Sequence, residues 1–186
     1  MRTMSTSVAA VLALAVLAAG CARASVGREG SASAELRDST GRSVGTVVAT
    51  PAAAGGVTLT VKVSGLPSGP HGIHVHAVGT CEPSGPTAFS SAGGHFNPSS
   101  KQHGRMNPNG PHAGDLPNLI VDSAGGGSLT VTAESLTLDT GAAALLDADG
   151  SAIVIHANQD DERTDNGPSG PGNSGARIAC GVLQRS

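Results

Sequence analysis

The chain has 186 residues, a formal net charge of −3, 27 glycines, and no tryptophan or tyrosine. This length suits one domain with a tail, and because the few basic residues do not cluster, the sequence excludes a nucleic-acid-binding surface. The core must be built from valine, leucine, isoleucine and alanine, and the abundant glycine favours short strands and many turns over long helices.

The N-terminus has the pattern of a secretory signal peptide, which we assign to residues 1–20. Arg2 precedes an apolar run, residues 8–19, that is too short to span a membrane and ends in small residues. Cys21 follows Ala-Gly and so resembles the modified cysteine of bacterial lipoproteins. This predicts a lipid on Cys21 that anchors the chain to the extracytoplasmic face of the bacterial cell membrane. The motif departs at Ala18, where leucine is commoner, and ordinary secretion is the alternative.

Residues 21–32 are mostly small and polar and are interpreted as a flexible tether, with residues 33–186 as the folded domain. Within the domain, alternating apolar and polar residues and turn signals predict about eight short strands. They cover residues 33–38, 43–50, 57–63, 72–78, 119–122, 127–134, 151–155 and 177–183. The predicted fold class is therefore all-β.

Two long segments, residues 79–117 and 158–176, lack this alternation and are predicted to be loops. Loops of more than about 15 residues are uncommon in a compact domain unless something else orders them. The first of these loops contains three histidines, His95, His103 and His112, followed by Asp115. A bound metal ion is the expected ordering element.

The histidines divide into two candidate metal sets. Three imidazoles and one carboxylate in the first loop can form a closed tetrahedral shell, which suits zinc. His74 and His76 lie two residues apart, so a strand would point both to one face, whereas His71 would point the other way. With His156 this pair forms an all-nitrogen set that suits copper(II). His71 is interpreted as a structural histidine that hydrogen-bonds a loop.

The order of these motifs resembles that of the copper-zinc superoxide dismutase family over residues 33–182. The resemblance is carried by residues 69–81 (GPHGIHVHAVGTC), 94–98 (GHFNP), 112–118 (HAGDLPN), 153–156 (IVIH) and 172–182 (GNSGARIACGV). It implies a Greek-key β-sandwich closed into a flattened, eight-stranded barrel with two long functional loops. It also implies that copper binds His74, His76, His95 and His156, and that zinc binds His95, His103, His112 and Asp115. His95 would bridge the two ions.

The resemblance implies roles for further side chains. Asp160 would link a copper histidine to a zinc histidine and hold their orientation. Arg177 would guide and bind the anionic substrate, and His95 would carry a proton. Cys81 and Cys180 match the family's disulfide, and they are also the even pair that is left in an oxidising compartment once Cys21 is lipidated.

The predicted activity is the dismutation of superoxide to oxygen and hydrogen peroxide outside the cytoplasm, which protects the cell from oxidative damage. The chain would act as a monomer or a homodimer. Two departures from the family bear on the rate of the reaction. Pro171 stands where a threonine is frequent, and the second loop has no lysine. The missing lysines predict slower encounter with an anion unless Lys101 and Arg105 compensate. The alternatives are a copper-only dismutase, a non-catalytic copper-binding lipoprotein and a structural envelope module.

Overall fold

The strands of this chain follow its alternation of apolar and polar residues. The computed structural model describes residues 30–167 and 170–186. The predicted signal peptide, Cys21 and most of the predicted tether lie outside the described residues. The strands are β1 (Ala32–Asp38), β2 (Ser43–Pro51), β3 (Val57–Val63), β4 (Gly69–His71), β5 (Ile73–His76), β6 (Leu119–Val121), β7 (Gly127–Ala133), β8 (Ala152–His156), β9 (Arg177–Val182) and β10 (Gln184–Arg185). The predicted all-β class is confirmed.

The strands form one antiparallel sheet in the order β4-β6-β7-β3-β2-β1-β9-β8-β5, with β10 paired to β1. The two ends of this order, β4 and β5, are consecutive in the chain and are separated only by Gly72. The sheet therefore closes on itself almost completely, as the predicted flattened barrel requires. In the described residues, 30–167 and 170–186, helical structure is limited to two short 3₁₀ turns, Ser90–Ala92 and Pro171–Asn173, and no helix there is long and apolar enough to cross a membrane.

The strand predicted at residues 72–78 is wrong in its bounds, because the chain changes partner at Gly72. β4 pairs with β6, whereas β5 pairs with β8. The Gly72 N–H donates to the carbonyl of Asn158, and the Gly72 carbonyl accepts from the N–H of His156, both at 2.8 Å. A Cβ at this position would lie 2.9 Å from Cβ of Ser174, so only glycine allows this close approach.

Two separate apolar cores flank β8. Ile153 and Ile155 belong to the main core inside the barrel, together with Ile73 and Val75 of β5. Ala152 and Val154 point to the other face, into a small core that we call the Phe89 cluster: Phe89, Ala92, Ala152, Val154 and Cys180. This cluster lies next to the predicted disulfide, which is confirmed and joins Cys81 to Cys180. The start of the first loop is thereby attached to β9.

Candidate metal centre

β5 supplies the first two histidines of the site and also holds the first loop in place. The free edge of β5 binds the loop through backbone hydrogen bonds. The N–H of Val75 donates to the carbonyl of Gly114 at 2.9 Å, and the N–H of Phe96 donates to the carbonyl of Val75 at 2.8 Å. A Cβ on Gly114 would overlap the carbonyl oxygen of Val75, so this contact needs glycine. These contacts place the neighbouring His95 and Asp115 beside the strand.

Four histidines form the first group, which corresponds to the predicted copper set. The ligand atoms of His74, His76, His95 and His156 all lie within 4.8 Å of one another. Two members lie on β5 and one on β8, which are paired strands, and His95 comes from the loop. The period-two argument for His74 and His76 therefore describes their placement correctly, since Ile73 and Val75 face the main core instead.

Each strand-borne histidine of this group uses one ring nitrogen to fix its orientation. Nδ1–H of His76 donates to the carbonyl of Gly93 at 2.9 Å, and Nδ1–H of His156 donates to that of Gly175 at 3.0 Å. Nε2–H of His74 donates to Asp160 Oδ2 at 2.6 Å. The remaining nitrogens, His74 Nδ1, His76 Nε2 and His156 Nε2, are buried and have no hydrogen-bond partner among the described residues.

These three rings are neutral at physiological pH. Burial, followed by the nearby charge of His95, holds the pKa values of His74 and His76 well below 6.5. Burial also lowers the pKa of His156 to about 4. A neutral ring that donates through one nitrogen carries a lone pair on the other. Three buried lone pairs directed at one point are costly without a partner and fit a metal ion that prefers imidazole, such as copper.

The predicted zinc set converges on one carboxylate oxygen. Asp115 Oδ1 lies 3.0 Å from Nδ1 of His95, 3.0 Å from Nδ1 of His103 and 3.3 Å from Nδ1 of His112. Asp115 Oδ2 accepts the backbone N–H groups of Gly104 and His112. Burial disfavours the Asp115 charge, but the three histidines and these donors outweigh it and hold the carboxyl pKa far below its usual range. One carboxylate and three imidazole nitrogens in this arrangement fit a zinc ion.

A second way of grouping the same atoms places His74 with His95, His103 and Asp115, all within 4.8 Å. His74 is close because its ring stacks on that of His95, with centroids 3.9 Å apart. Its Nε2 is engaged by Asp160, however, and its Nδ1 belongs to the first group. His112 Nδ1, which lies 3.4 Å from His95 Nδ1, is therefore the better fourth member.

His95 belongs to both groups and Asp160 connects them. His95 directs Nδ1 to the Asp115 group, while its ring packs against the histidines of β5. Asp160 accepts from His74 through Oδ2 and from Nε2 of His103 through Oδ1, the latter at 3.0 Å. Burial opposes a charge on His103, but hydrogen bonds to Asp115 and Asp160 raise its pKa to about 9.

Sequence reasoning missed Asn118, which fixes Asp160. Its side-chain oxygen accepts the N–H of Asp160 at 2.8 Å, and its amide donates to the carbonyl of Asp160 at 2.9 Å. The available signal was an amide residue placed directly before a buried strand, at the end of the segment HAGDLPN. His71 lies outside both groups and bonds to the carbonyl oxygens of Pro67 and His156, as a structural histidine would.

Arg177 lies at the entrance to the copper group. A cavity of about 200 Å³ is lined by His76, His95, His156, Pro171 and Arg177, among others. The Arg177 guanidinium donates to the carbonyl oxygens of Phe89 and Gly93, at 2.5 and 2.6 Å. Pro171 lines this cavity without a hydroxyl group. Arg105, expected to compensate for the missing lysines, forms an ion pair with Glu162 at 3.1 Å, so part of its charge is already balanced.

The chain is similar to known proteins in both sequence and fold. The family model for copper/zinc superoxide dismutase (SODC) matches residues 43–183. A Cu-Zn superoxide dismutase of Caulobacter vibrioides is 40% identical over 157 residues, covering 83% of this chain and 86% of the relative. Superoxide dismutase [Cu-Zn] 2 of Aquifex aeolicus is 44% identical over 131 residues, covering 69% of this chain and 72% of that one.

Solved structures give the same result. The Cu/Zn superoxide dismutase from Brucella abortus is similar with a TM-score of 0.65 and 32% identity, covering 83% of this chain and 99% of that one. A SOD-like protein from Bacillus subtilis is similar with a TM-score of 0.74 and 38% identity, covering 82% of this chain and 97% of that one. The chain therefore belongs to the copper/zinc superoxide dismutase family, which makes it an oxidoreductase of the superoxide dismutase type with copper and zinc as its cofactors.

Proposed function

We propose that this chain converts superoxide to oxygen and hydrogen peroxide, with copper bound by His74, His76, His95 and His156. Zinc would be bound by His95, His103, His112 and Asp115. The observation that supports this proposal best is the set of three buried imidazole nitrogens that converge with His95 and have no hydrogen-bond partner in residues 30–167 and 170–186. Because the chain is also similar to a protein described as SOD-like, the ligand set carries more weight here than the fold.

The bound copper would supply reversible one-electron chemistry, and the bound zinc a fixed positive charge. The chain's own residues have three tasks. Gly93, Gly175 and Asp160 hold the copper histidines in the orientation that leaves one lone pair free on each. Arg177 attracts the anion into the cavity and orients it, since its charge is permanent and its donors are planar. The cavity of about 200 Å³ has room for a small anion beside Arg177 and the histidines.

His95 is the proposed proton carrier. Two superoxide anions and two protons yield one oxygen and one hydrogen peroxide, so the site must deliver protons to the reduced product. His95 shares its Nδ1 with the Asp115 group, which leaves Nε2 as the nitrogen that faces the cavity side of the site. We propose that Nε2 would hold one proton whenever it is not bound to copper and would release that proton to the peroxide.

The direct test is a superoxide-decay assay on protein reconstituted with copper and zinc. We expect decay to be accelerated by the wild type and reduced to background by His156→Ala, because that change removes one copper ligand. Decay that continues at the wild-type rate in His156→Ala would refute the copper assignment. Asp139→Asn, which alters only a surface ion pair with Arg185, is the matched control and should retain activity.

The same samples distinguish the alternatives. Elemental analysis should give about one copper and one zinc per chain, as the two ligand sets predict. Copper alone would favour a copper-only dismutase. Both metals with no acceleration of superoxide decay would favour a metal-storage protein on the same fold.

We also propose that the domain acts outside the cytoplasm, anchored to the cell membrane through a lipid on Cys21, and removes superoxide that arrives from outside. The Cys81–Cys180 disulfide supports this, because such bonds persist in oxidising compartments. We expect Cys21→Ser to move the protein from the membrane fraction to the soluble fraction, measured by cell fractionation. Ser25→Ala, a nearby change that keeps the cysteine, should stay in the membrane; retention of Cys21→Ser there would contradict lipid anchoring.

A further inference from the structure

The guanidinium of Arg177 is held by the segment that joins the disulfide to the first metal ligand of the loop. Both of its carbonyl partners, Phe89 and Gly93, lie between Cys81 and His95. A guanidinium has five N–H donors, and these two bonds fix its plane while leaving donors for a ligand. The position of the two carbonyls therefore decides where Arg177 can meet an anion.

Phe89 has a backbone conformation that a bulky residue rarely adopts. Its φ of 59° and ψ of 19° lie in the left-handed region, which aims its carbonyl at Arg177. Its N–H donates to the carbonyl of Glu82 at 2.8 Å, so a hydrogen bond also fixes the amide side of this residue. Such a conformation persists only when the surrounding structure holds it.

The buried aromatic ring of Phe89 stabilises this conformation. Phe89 is 2% exposed and packs in the Phe89 cluster against Ala92, Val154 and Cys180. The ring is thus anchored to β8 and β9, and Arg177 itself is the first residue of β9. One side chain ties the carbonyl that binds Arg177 to the strand that carries Arg177.

Two cavities meet at this arginine. The inner cavity lies over the copper histidines, and the outer one, of about 390 Å³, is lined by Thr87, Ala88, Gly175, Ala176 and Arg177. Gly175 and Arg177 line both. The turn that contains Phe89 forms a wall of the outer cavity, so the same turn shapes the entrance and fixes the charge between entrance and site.

We infer that Phe89 is a positioning residue for small anions: its buried ring holds its carbonyl where it orients Arg177 between the outer and inner cavities. This inference rests on the proposed function, because it takes Arg177 as the group that binds the anion near copper. Phe89 itself does not line the inner cavity over the copper histidines, so it would act on the anion through Arg177. Its effect should therefore disappear when Arg177 is absent.

The test uses the full domain loaded with copper(II) and zinc, and azide as the probe, because azide is a small anion whose binding to copper(II) changes the visible absorption. We expect Phe89→Ala to weaken azide binding about 5- to 10-fold, a part of what a charge-assisted hydrogen bond contributes. Metal content should stay at the wild-type value. Phe89→Leu, which keeps an apolar anchor in the cluster, should restore binding to within about twofold.

Two controls separate positioning from general destabilisation. Leu136→Ala removes a fully buried side chain of the main core and should lower the melting temperature without changing azide affinity. In an Arg177→Ile background, Phe89→Ala should add no further loss of affinity. A loss of the same size in both backgrounds, or a comparable loss in Leu136→Ala, would overturn the inference.

The outcomes also distinguish this inference from the proposed function. If Arg177→Ile itself leaves azide affinity unchanged, the role of Arg177 in the proposed function fails and the inference fails with it. If Arg177→Ile weakens azide binding but Phe89→Ala does not, only the inference fails. Should Phe89→Ala not fold, Phe89→Val provides the same test, because it keeps an apolar side chain but its β-branched side chain resists a positive φ.

Discussion

Individual histidines in this site are specified by the partners of their second nitrogen. His76 and His156 donate to backbone carbonyls, whereas His74 and His103 donate to the two oxygens of one carboxylate, Asp160. A carbonyl or carboxylate partner fixes both the ring plane and the tautomer, which decides the nitrogen that is left for the ion. The choice of ligand atom is therefore made before any metal binds.

Asp160 is the residue at which this arrangement can be tested most directly. Asp160→Asn keeps the shape but offers only one acceptor oxygen for two histidines, so we expect affinity for zinc to fall about 10- to 100-fold. Competition with a chromophoric zinc chelator measures the change. Asp139→Asn makes the same substitution at an exposed ion pair and should leave affinity unchanged. Equal affinities in the two variants would show that Asp160 does not orient the ligands.

The site residues differ in how well their positions can be predicted from the sequence alone. His74 and His76 were placed correctly because a strand has a period of two, which is a local property. Asn118 and Phe89 were missed because their contacts are not local: Asn118 bonds a residue 42 positions away, and Phe89 bonds one 88 positions away. No periodicity in the chain encodes such pairs.

Among the elements, the strands were predicted more accurately than their connections. β3 has the predicted bounds, since its alternation is uninterrupted, whereas the strand expected at residues 72–78 covers only Ile73–His76, and β4 before it was not predicted. The separation of β4 from β5 depends on a change of pairing partner from β6 to β8, which only the complete sheet determines. The two long loops were recognised by their missing alternation, but the path of the first loop along the edge of β5 was not.

The disulfide is the covalent link between the first loop and β9, and its removal should lower the free energy of unfolding. Its two cysteines are separated by 99 positions, so the chain-entropy model gives a loss of about 4 to 5 kcal/mol for Cys81→Ser with Cys180→Ser. Urea unfolding of the metal-loaded variant measures this free energy. The reduced wild type should be destabilised by a similar amount. A loss below about 1 kcal/mol would mean that the Phe89 cluster alone holds the loop to β9.

At the scale of the whole molecule, the buried histidines couple stability to pH when metal is removed. Burial lowers the pKa of His156 in the folded chain to about 4, from an ordinary value of 6.5 in the unfolded chain. Between these values the unfolded chain binds more protons, so the free energy of unfolding should fall as pH drops from 6.5 to 4. His74 and His76 act in the same direction, because their pKa values are also lowered.

His103 acts in the opposite direction. Its pKa rises from 6.5 to about 9, so its contribution is complete below pH 6.5 and is lost as pH rises through 9. Metal-free protein should therefore be most stable near neutral pH, as measured by urea unfolding at pH 4.5, 6.5 and 9.5. His156→Gln should reduce the slope on the acidic side, where His74 and His76 still contribute, and leave the alkaline side unchanged. A metal-free profile that is level across this range would contradict the predicted protonation states.

Closure of the barrel at Gly72 has a consequence for the coupling of copper binding to folding. β5, which carries His74 and His76, pairs with β8, which carries His156, although the two strands lie in distant parts of the chain. The three imidazoles are therefore close to one another only in the folded sheet. Copper bound to them would stabilise the closed barrel relative to the unfolded chain, because the unfolded chain does not hold these ligands together.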